Sequence, residues 1–252
     1  ETTVVRAVAE AEGYLASEVI TGGYFIDVSH TVDVISIVTD PANLWDNNTG
    51  IYALGNDVSL SDPALTGAKY LTGDQSGVFS LDKAEDLGAA MTAVDSANFM
   101  TKDMEVPANF SFYIDGKEVF SQNIGLQVFG SYTRYEVQKS FAIYARGKYG
   151  ETEMAYPFFD NREFTSYRSL VARQSGNDCK YSRIRDIFVT SLMEKGSGDS
   201  GRVEVQAFRQ CVLYLNGKYW GVYDLREKPS KYYAAARDYA PNPAEDIDFL
   251  KG

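Results

Sequence analysis

Residues 214–228 read "YLNGKYWGVYDLREK". Asn216-Gly217 between two runs of strand-forming residues is a strong local signal for a hairpin closed by a type I′ turn. That turn sets Tyr214 opposite Tyr219, Leu213 opposite Trp220 and Cys211 opposite Val222. It also sets Gly221 against Val212, where the missing side chain leaves room for another group to approach the backbone. Both faces of the hairpin are apolar, so its strands belong inside a sheet and not on a wet surface. The second strand then leaves on Arg226-Glu227-Lys228, and what that charged exit touches bears on function.

Working outward, the neighbouring segments are also β. "FSFYIDGKEVFSQ" (110–122) holds Asp115-Gly116 between alternating runs, a second hairpin by turn chemistry. "IGLQVFG" (124–130) and "KSFAIYAR" (139–146) bracket the loop 131–138, and "SYRSLVAR" (166–173) is a further strand. After "QSGND" comes the best helical pattern, about Tyr181 to Lys195, with Ile184, Ile187, Phe188, Ser191 and Leu192 on one face. Asp178 is its expected N-cap and Gly196 its stop. A second helix is expected from about Ser230 to Tyr239.

Upstream, "TTVVRAVA" (2–9), 19–26 and "HTVDVISIV" (30–38) are strands, the first two belonging to a sheet that two strands cannot complete alone. Residues 56–98 turn to Asp, Ser, Gly and Ala and read as an irregular surface insertion with one weak helix at 81–93. Both ends of the sequence look cut, at Glu1 inside a strand pattern and at Gly252 just after Phe249-Leu250.

Composition narrows the function. The 252 residues carry a net charge of −11, one His and 13% aromatic side chains. So acidic a chain is not built to hold nucleic-acid phosphates or an anionic membrane by general attraction. No apolar run approaches the roughly 18 residues of a membrane span. Cys179 and Cys211 read as isolated buried thiols, with a disulfide between them as the alternative, and a single His leaves no metal cluster to assemble. "DNNTG" (46–50) has its Gly one place early for a calcium loop, and His30 is an ordinary strand residue.

The fold class is therefore α+β, mostly β. A sheet, one packed helix, two strands, a charged exit and a helix follow the plan of a kinase-type N-terminal lobe, in which the exit is the hinge along which a nucleobase lies. Lys139, after the Gly130-Ser131 loop start, is the first choice for a cation that meets phosphate, with Arg134 and Arg173 as guanidinium alternatives. Asp186 on the helix is placed to pair with Lys139, or with Arg183 or Lys195. Glu227 sits at the hinge, its backbone expected toward a base edge and its side chain toward water or metal. Each of these has the plainer reading of a surface ion pair or strand-end charge, and Tyr219 and Trp220 read as sheet core.

The same residues carry a resemblance. "LYLNGKYWGVYDLREK" (213–228) resembles the signature of the CotH family, the spore-coat protein H type of atypical protein kinase. "SIVTDPANLWDNNTGIY" (36–52), "ANFSFYIDGK" (108–117), "GLQVFGSYTRYEVQKSFAIYAR" (125–146), "SLVARQSGNDCKYSRIRD" (169–186) and "DIDFLKG" (246–252) agree in order. The likeness covers about 32–252, while 1–26 resembles the tail of a chitobiase C-terminal type of β-sandwich repeat. It implies two units: 1–28, a truncated repeat, and 29–252, the N-terminal portion of a CotH-type kinase domain. It implies ATP with Mg or Mn, phosphorylation of protein Ser or Thr, and an exported bacterial protein of the cell surface or spore coat. The family's catalytic Asp motifs lie further on, so no catalytic residue and no metal ligand is expected here, and this segment alone is expected to be inactive. A different class remains open, a non-catalytic adhesion, coat or polysaccharide-associated module.

Overall fold

The computed structural model describes residues 2–71, 78–101, 104–197, 203–237, 247, 248 and 250. In chain order, β1 (Thr2–Ala7) and β2 (Ile20–Phe25) form a hairpin, followed by β3 (Asp33–Val38) and helix α1 (Pro41–Trp45). β4 (Lys69–Leu71), β5 (Val78–Ser80) and α2 (Leu87–Ala93) come next, then β6 (Val106–Ile114), β7 (Lys117–Phe129) and β8 (Ser140–Tyr144). The short pair β9 (Met154–Ala155) and β10 (Ser166–Tyr167) precedes β11 (Ser169–Arg173) and helix α3 (Arg185–Ser197). β12 (Phe208–Leu215), β13 (Lys218–Glu227) and α4 (Lys231–Ala235) complete the described elements. The expected helix end at Tyr239 and most of the 246–252 block fall outside the described residues.

Seven strands close into a barrel in the order β11-β13-β12-β3-β6-β7-β8, β8 pairing back to β11. Every pairing is antiparallel except β12 with β3. The expected sheet closes on itself: β3 slots between β12 and β6, with Ile35 and Ile37 fully buried inside. Phe110, Phe112, Phe141 and Tyr223 fill the same interior. Each such side chain contributes about 1.5–3 kcal/mol on leaving water, and closure leaves the barrel no unpaired edge.

Both hairpins turn as their Asp-Gly and Asn-Gly pairs require, with positive φ at Asp115 (50°), Gly116 (74°), Asn216 (49°) and Gly217 (79°). Both also carry a bulge just beyond the turn. In β13 this shifts the expected register, so that Leu213 faces Gly221 and Cys211 faces Tyr223. Trp220, the extra residue, donates Nε1–H to the Tyr52 hydroxyl at 3.0 Å. Gly221 has φ 129°, and the Gln138 amide lies where its side chain would be, donating to the Val222 carbonyl at 3.2 Å.

The 56–98 segment is not the irregular surface expected. Leu65, Phe79, Ala90 and Val94 form a small core together with Leu54 and Phe99. Asp86 caps α2 by accepting from Ala89 N at 3.0 Å. Both cysteines are free and buried.

Two elements cover the outside of the barrel. Phe25 of β2 packs edge-to-face on Tyr113 and Tyr214, centroids 5.0 and 4.7 Å apart, over the outer side chains of β3, β6 and β12. α3 lies over β11 and β13, and it lies inside out. Asp186, Ile187, Thr190, Ser191 and Glu194 form its covered face, while Ile184, Phe188 (62% exposed), Val189, Leu192 and Met193 look outward. Of the face expected to pack, Ile187 alone is buried. Ion pairs hold the helix where apolar contacts were expected.

Candidate functional site

A cavity of about 500 Å³ opens where β7, β11 and the start of α3 meet. Its walls include Gly130–Thr133, Arg173, Ser175–Asp178, Arg185 and Asp186. β11 delivers Arg173 to the outer face because Leu170 and Ala172 alternate inward. Past the strand the backbone turns left-handed at Ser175 (φ 76°) and Gly176 (φ 61°), a conformation that is strained for a non-glycine residue and marks candidate functional sites. Ser140 and the fully buried Gln174 fix that turn: Ser140 Oγ donates to Gln174 Oε1 at 2.7 Å, which also accepts from Gly176 N at 3.0 Å. A side chain at 176 would meet the Arg173 guanidinium at 2.5 Å, so glycine lets the cation lie over the turn.

α3 closes the cavity. Asp178 accepts from Arg185 N at 3.1 Å and from Ser182 Oγ at 2.7 Å, so it does cap the helix, from seven residues before Arg185. Asp186 Oδ2 accepts from Arg173 Nε at 3.1 Å and from Arg226 Nη1 of β13. Beside this bridge lies Asp224, 1% exposed, with neither carboxylate oxygen hydrogen-bonded. Burial pushes its carboxyl up to about 6; Arg226 and Arg173 oppose the rise and Asp186 adds to it. The Ser175 hydroxyl, on the cavity wall and 3% exposed, also has no partner.

Of the residues singled out in the sequence, Arg173 and Asp186 therefore come together at one cavity. Lys139 does not join them. It is 1% exposed, and its Nζ donates to the carbonyls of Arg134 at 2.6 Å and Glu136 at 2.9 Å, over the Phe99 ring at 4.1 Å. Burial lowers its ammonium to about 7, against the Glu136 charge, which raises it. The pairing expected between Lys139 and Asp186 is replaced by Arg173 and Arg226. Arg134 also turns inward, donating Nε to Gly130 O at 2.7 Å and Nη1 to Phe99 O at 2.8 Å. Together they brace the 130–138 loop from behind.

Glu227 lies at the other end of β13, and the outward turn expected of it does not occur. Its carboxylate accepts from Ala207 N at 2.6 Å, from Arg237 Nη2 on both oxygens at 2.7 and 2.6 Å, and from Arg162. Its own N–H and carbonyl engage Ala207 O at 3.2 Å and Gln206 Nε2 at 2.7 Å. A second cavity, about 340 Å³ and lined by Phe164, Tyr167, Tyr232 and Tyr233, opens beside it. Val171 and Arg226, both buried, stand between the two.

Residues 126–248, from β7 through the region of α4, match the model of the family described as CotH kinase protein. The chain carries a CotH domain. No curated protein matches it. The matched CotH region contains every wall of the larger cavity, and it excludes the hairpin β1–β2 and the 56–98 segment.

The CotH family implies a nucleotide with a divalent metal, and the cavity residues fit the anionic half of that pair. A guanidinium faces it, a tight turn shaped by glycine curls beneath, and a buried hydroxyl lacks a partner there. Among the described residues no group of three or more His, Cys, Asp or Glu could hold a metal ion, so a metal arriving with the nucleotide would bring its ligands largely from elsewhere. Sequence reading missed Ser175, Gln174, Asp224, Arg226, Arg162 and Arg237 as site or strut residues. The visible signal for Asp224 and Arg226 was two charges, two apart, on one face of an otherwise apolar strand.

Proposed function

We propose that this CotH domain binds the phosphates of a nucleoside triphosphate in the cavity beneath α3, as the N-terminal, nucleotide-facing part of a phosphotransferase acting on protein Ser or Thr. The observation that carries it is the bridge from Arg173 to Asp186 at the cavity rim. A strand-borne cation held by a helix carboxylate is the pairing kinases use to set phosphate geometry. Arg173 binds and orients, Ser175 Oγ donates to a phosphate oxygen, and Lys139 with Arg134 holds the facing loop in place. A bound metal supplies charge neutralisation between phosphates. Residues 1–28 are read as the end of a β-sandwich repeat preceding the domain, and the protein as exported.

The test is a titration of the protein with ATP and Mn²⁺. Saturable binding that weakens at least tenfold in Arg173→Ala supports the reading; a folded protein that binds no nucleotide removes it. A non-catalytic surface module is the second reading, favoured by one observation: Lys139, Arg134 and Glu227 all spend their polar atoms on the protein's own groups.

A further inference from the structure

α3 is held to the barrel by a polar face, and the arginines that hold it have two carboxylates within reach. Asp186 has both. Arg173 and Arg226 meet on its Oδ2, leaving Arg226 Nε without a partner. Asp224 has neither, although it is Arg173's direct cross-strand partner and stands two residues from Arg226 on the same face of β13. Directly opposed residues have their Cβ atoms about 4.5–5.5 Å apart, well within the span of an arginine side chain. The remaining neighbours offer no competing charge of that kind: Gln210 of β12 is opposite, and Arg183, before α3, donates to the Val222 carbonyl.

We infer that Asp224 is a second seat for Arg173 and Arg226, and that α3 docks or releases according to which carboxylate the two arginines take. With Asp186 in possession, α3 is docked and Arg173 lies over the Ser175-Gly176 turn, facing the cavity. With Asp224 in possession, Arg173 folds back along the barrel wall, Asp186 loses both partners, and α3 keeps Ile187 as its one buried apolar side chain. As regulation of the proposed phosphate site this rests on the nucleotide reading: an anion on Arg173 holds the docked arrangement, and release removes the cavity's strand-borne cation.

Direction with pH follows from linkage. In the docked arrangement Asp224 keeps its proton up to about pH 6. Seated on two arginines, it loses that proton far more readily. The docked state therefore binds the extra proton, so acid favours docking and rising pH favours release. The ratio of docked to released falls below about pH 6, where only the docked state holds the proton, by up to about tenfold per pH unit as pH rises. It levels off above that value, once Asp224 is ionised in both states.

Amide exchange of residues 185–197, followed without nucleotide from about pH 4 to 8 and corrected for the intrinsic pH dependence of exchange, reads this directly. Protection of α3 should fall by up to about tenfold per unit as pH rises toward about 6 and level off above it, while β7 and β8 stay protected. Asp224→Asn should hold the level of the most acid point throughout, and Asp186→Asn should show low protection at every pH. Protection that does not change with pH, or the same fall in Asp224→Asn, overturns the proposal. Should Asp224→Asn fail to fold, the Asp224 carboxyl carbon shift in the unaltered protein decides: it should titrate near 6 in step with loss of α3 protection, and a carboxyl that titrates without it counts against. A pH response without ATP binding removes the nucleotide reading and leaves this one standing; ATP binding without the response does the reverse.

Discussion

Two coverings of one barrel differ in kind. Over β3, β6 and β12 the N-terminal hairpin lays Phe25 across Tyr113 and Tyr214, an apolar contact with favoured edge geometry. Over β11 and β13, α3 turns its polar side down and its apolar side out, and the layer between is Arg173, Asp186, Arg226 and Asp224. Apolar burial is non-directional and involves no titrating group. A buried charge is costly unless it is paired, and here the buried Asp224 is not. The first cover stabilises; the second marks where the molecule responds to something.

The largest effect should come from breaking the charged layer. Arg226→Ala takes away Asp186's hydrogen-bond partner and the positive charge that most opposes the burial of Asp224, and should cost about 3–5 kcal/mol at pH 7.5 by urea unfolding. Part of that loss should return at pH 5, where Asp224 is neutral. On the apolar side, Phe25→Ala should cost about 2–3 kcal/mol, less than a fully buried Phe because its ring is half-buried. That loss should be the same at pH 5 and 7.5; a pH-dependent loss would erase the contrast between the covers.

A third test reaches beneath both covers. Lys139 titrates near 7 in the folded protein, below its ordinary 10.5. Between those values the unfolded chain holds the extra proton, so stability rises with pH from about 7 toward 10.5. The slope should be at most about 1.4 kcal/mol per pH unit and absent in Lys139→Met. Urea midpoints from pH 7 to 9.5 measure it. The smallest stability effect belongs to Gly176→Ala, about 1 kcal/mol for a side chain in the left-handed region. Because that side chain displaces the Arg173 guanidinium, ATP affinity should fall with it by tenfold or more.

The contrast also shows what could be read in the sequence. The two hairpin turns were legible because Asp-Gly and Asn-Gly chemistry is local. Register beyond the second was not, since the bulge at Trp220 answers to the distant partners Tyr52 and Gln138. Closure was hidden because β3 pairs with strands far along the chain. The helical period of α3 was visible, but periodicity names a stripe and not the side that faces inward. At the site, Arg173 and Asp186 were legible as charges at element ends. Lys139 and Glu227 carried the same signature, and their burial is set by Phe99 and Arg237, residues remote in sequence or beyond the strand. Ser175 and Asp224 are defined by missing partners, which only coordinates reveal.

The central claim is that the cavity under α3 is a phosphate site. A crystal structure of the protein with Mn²⁺ and a non-hydrolysable ATP analogue tests it most directly. The account places the phosphates between the Arg173 guanidinium and the Ser175-Gly176 turn, with Asp186 still bridging. Phosphates bound elsewhere, or a cavity that stays empty at saturating nucleotide, would contradict it.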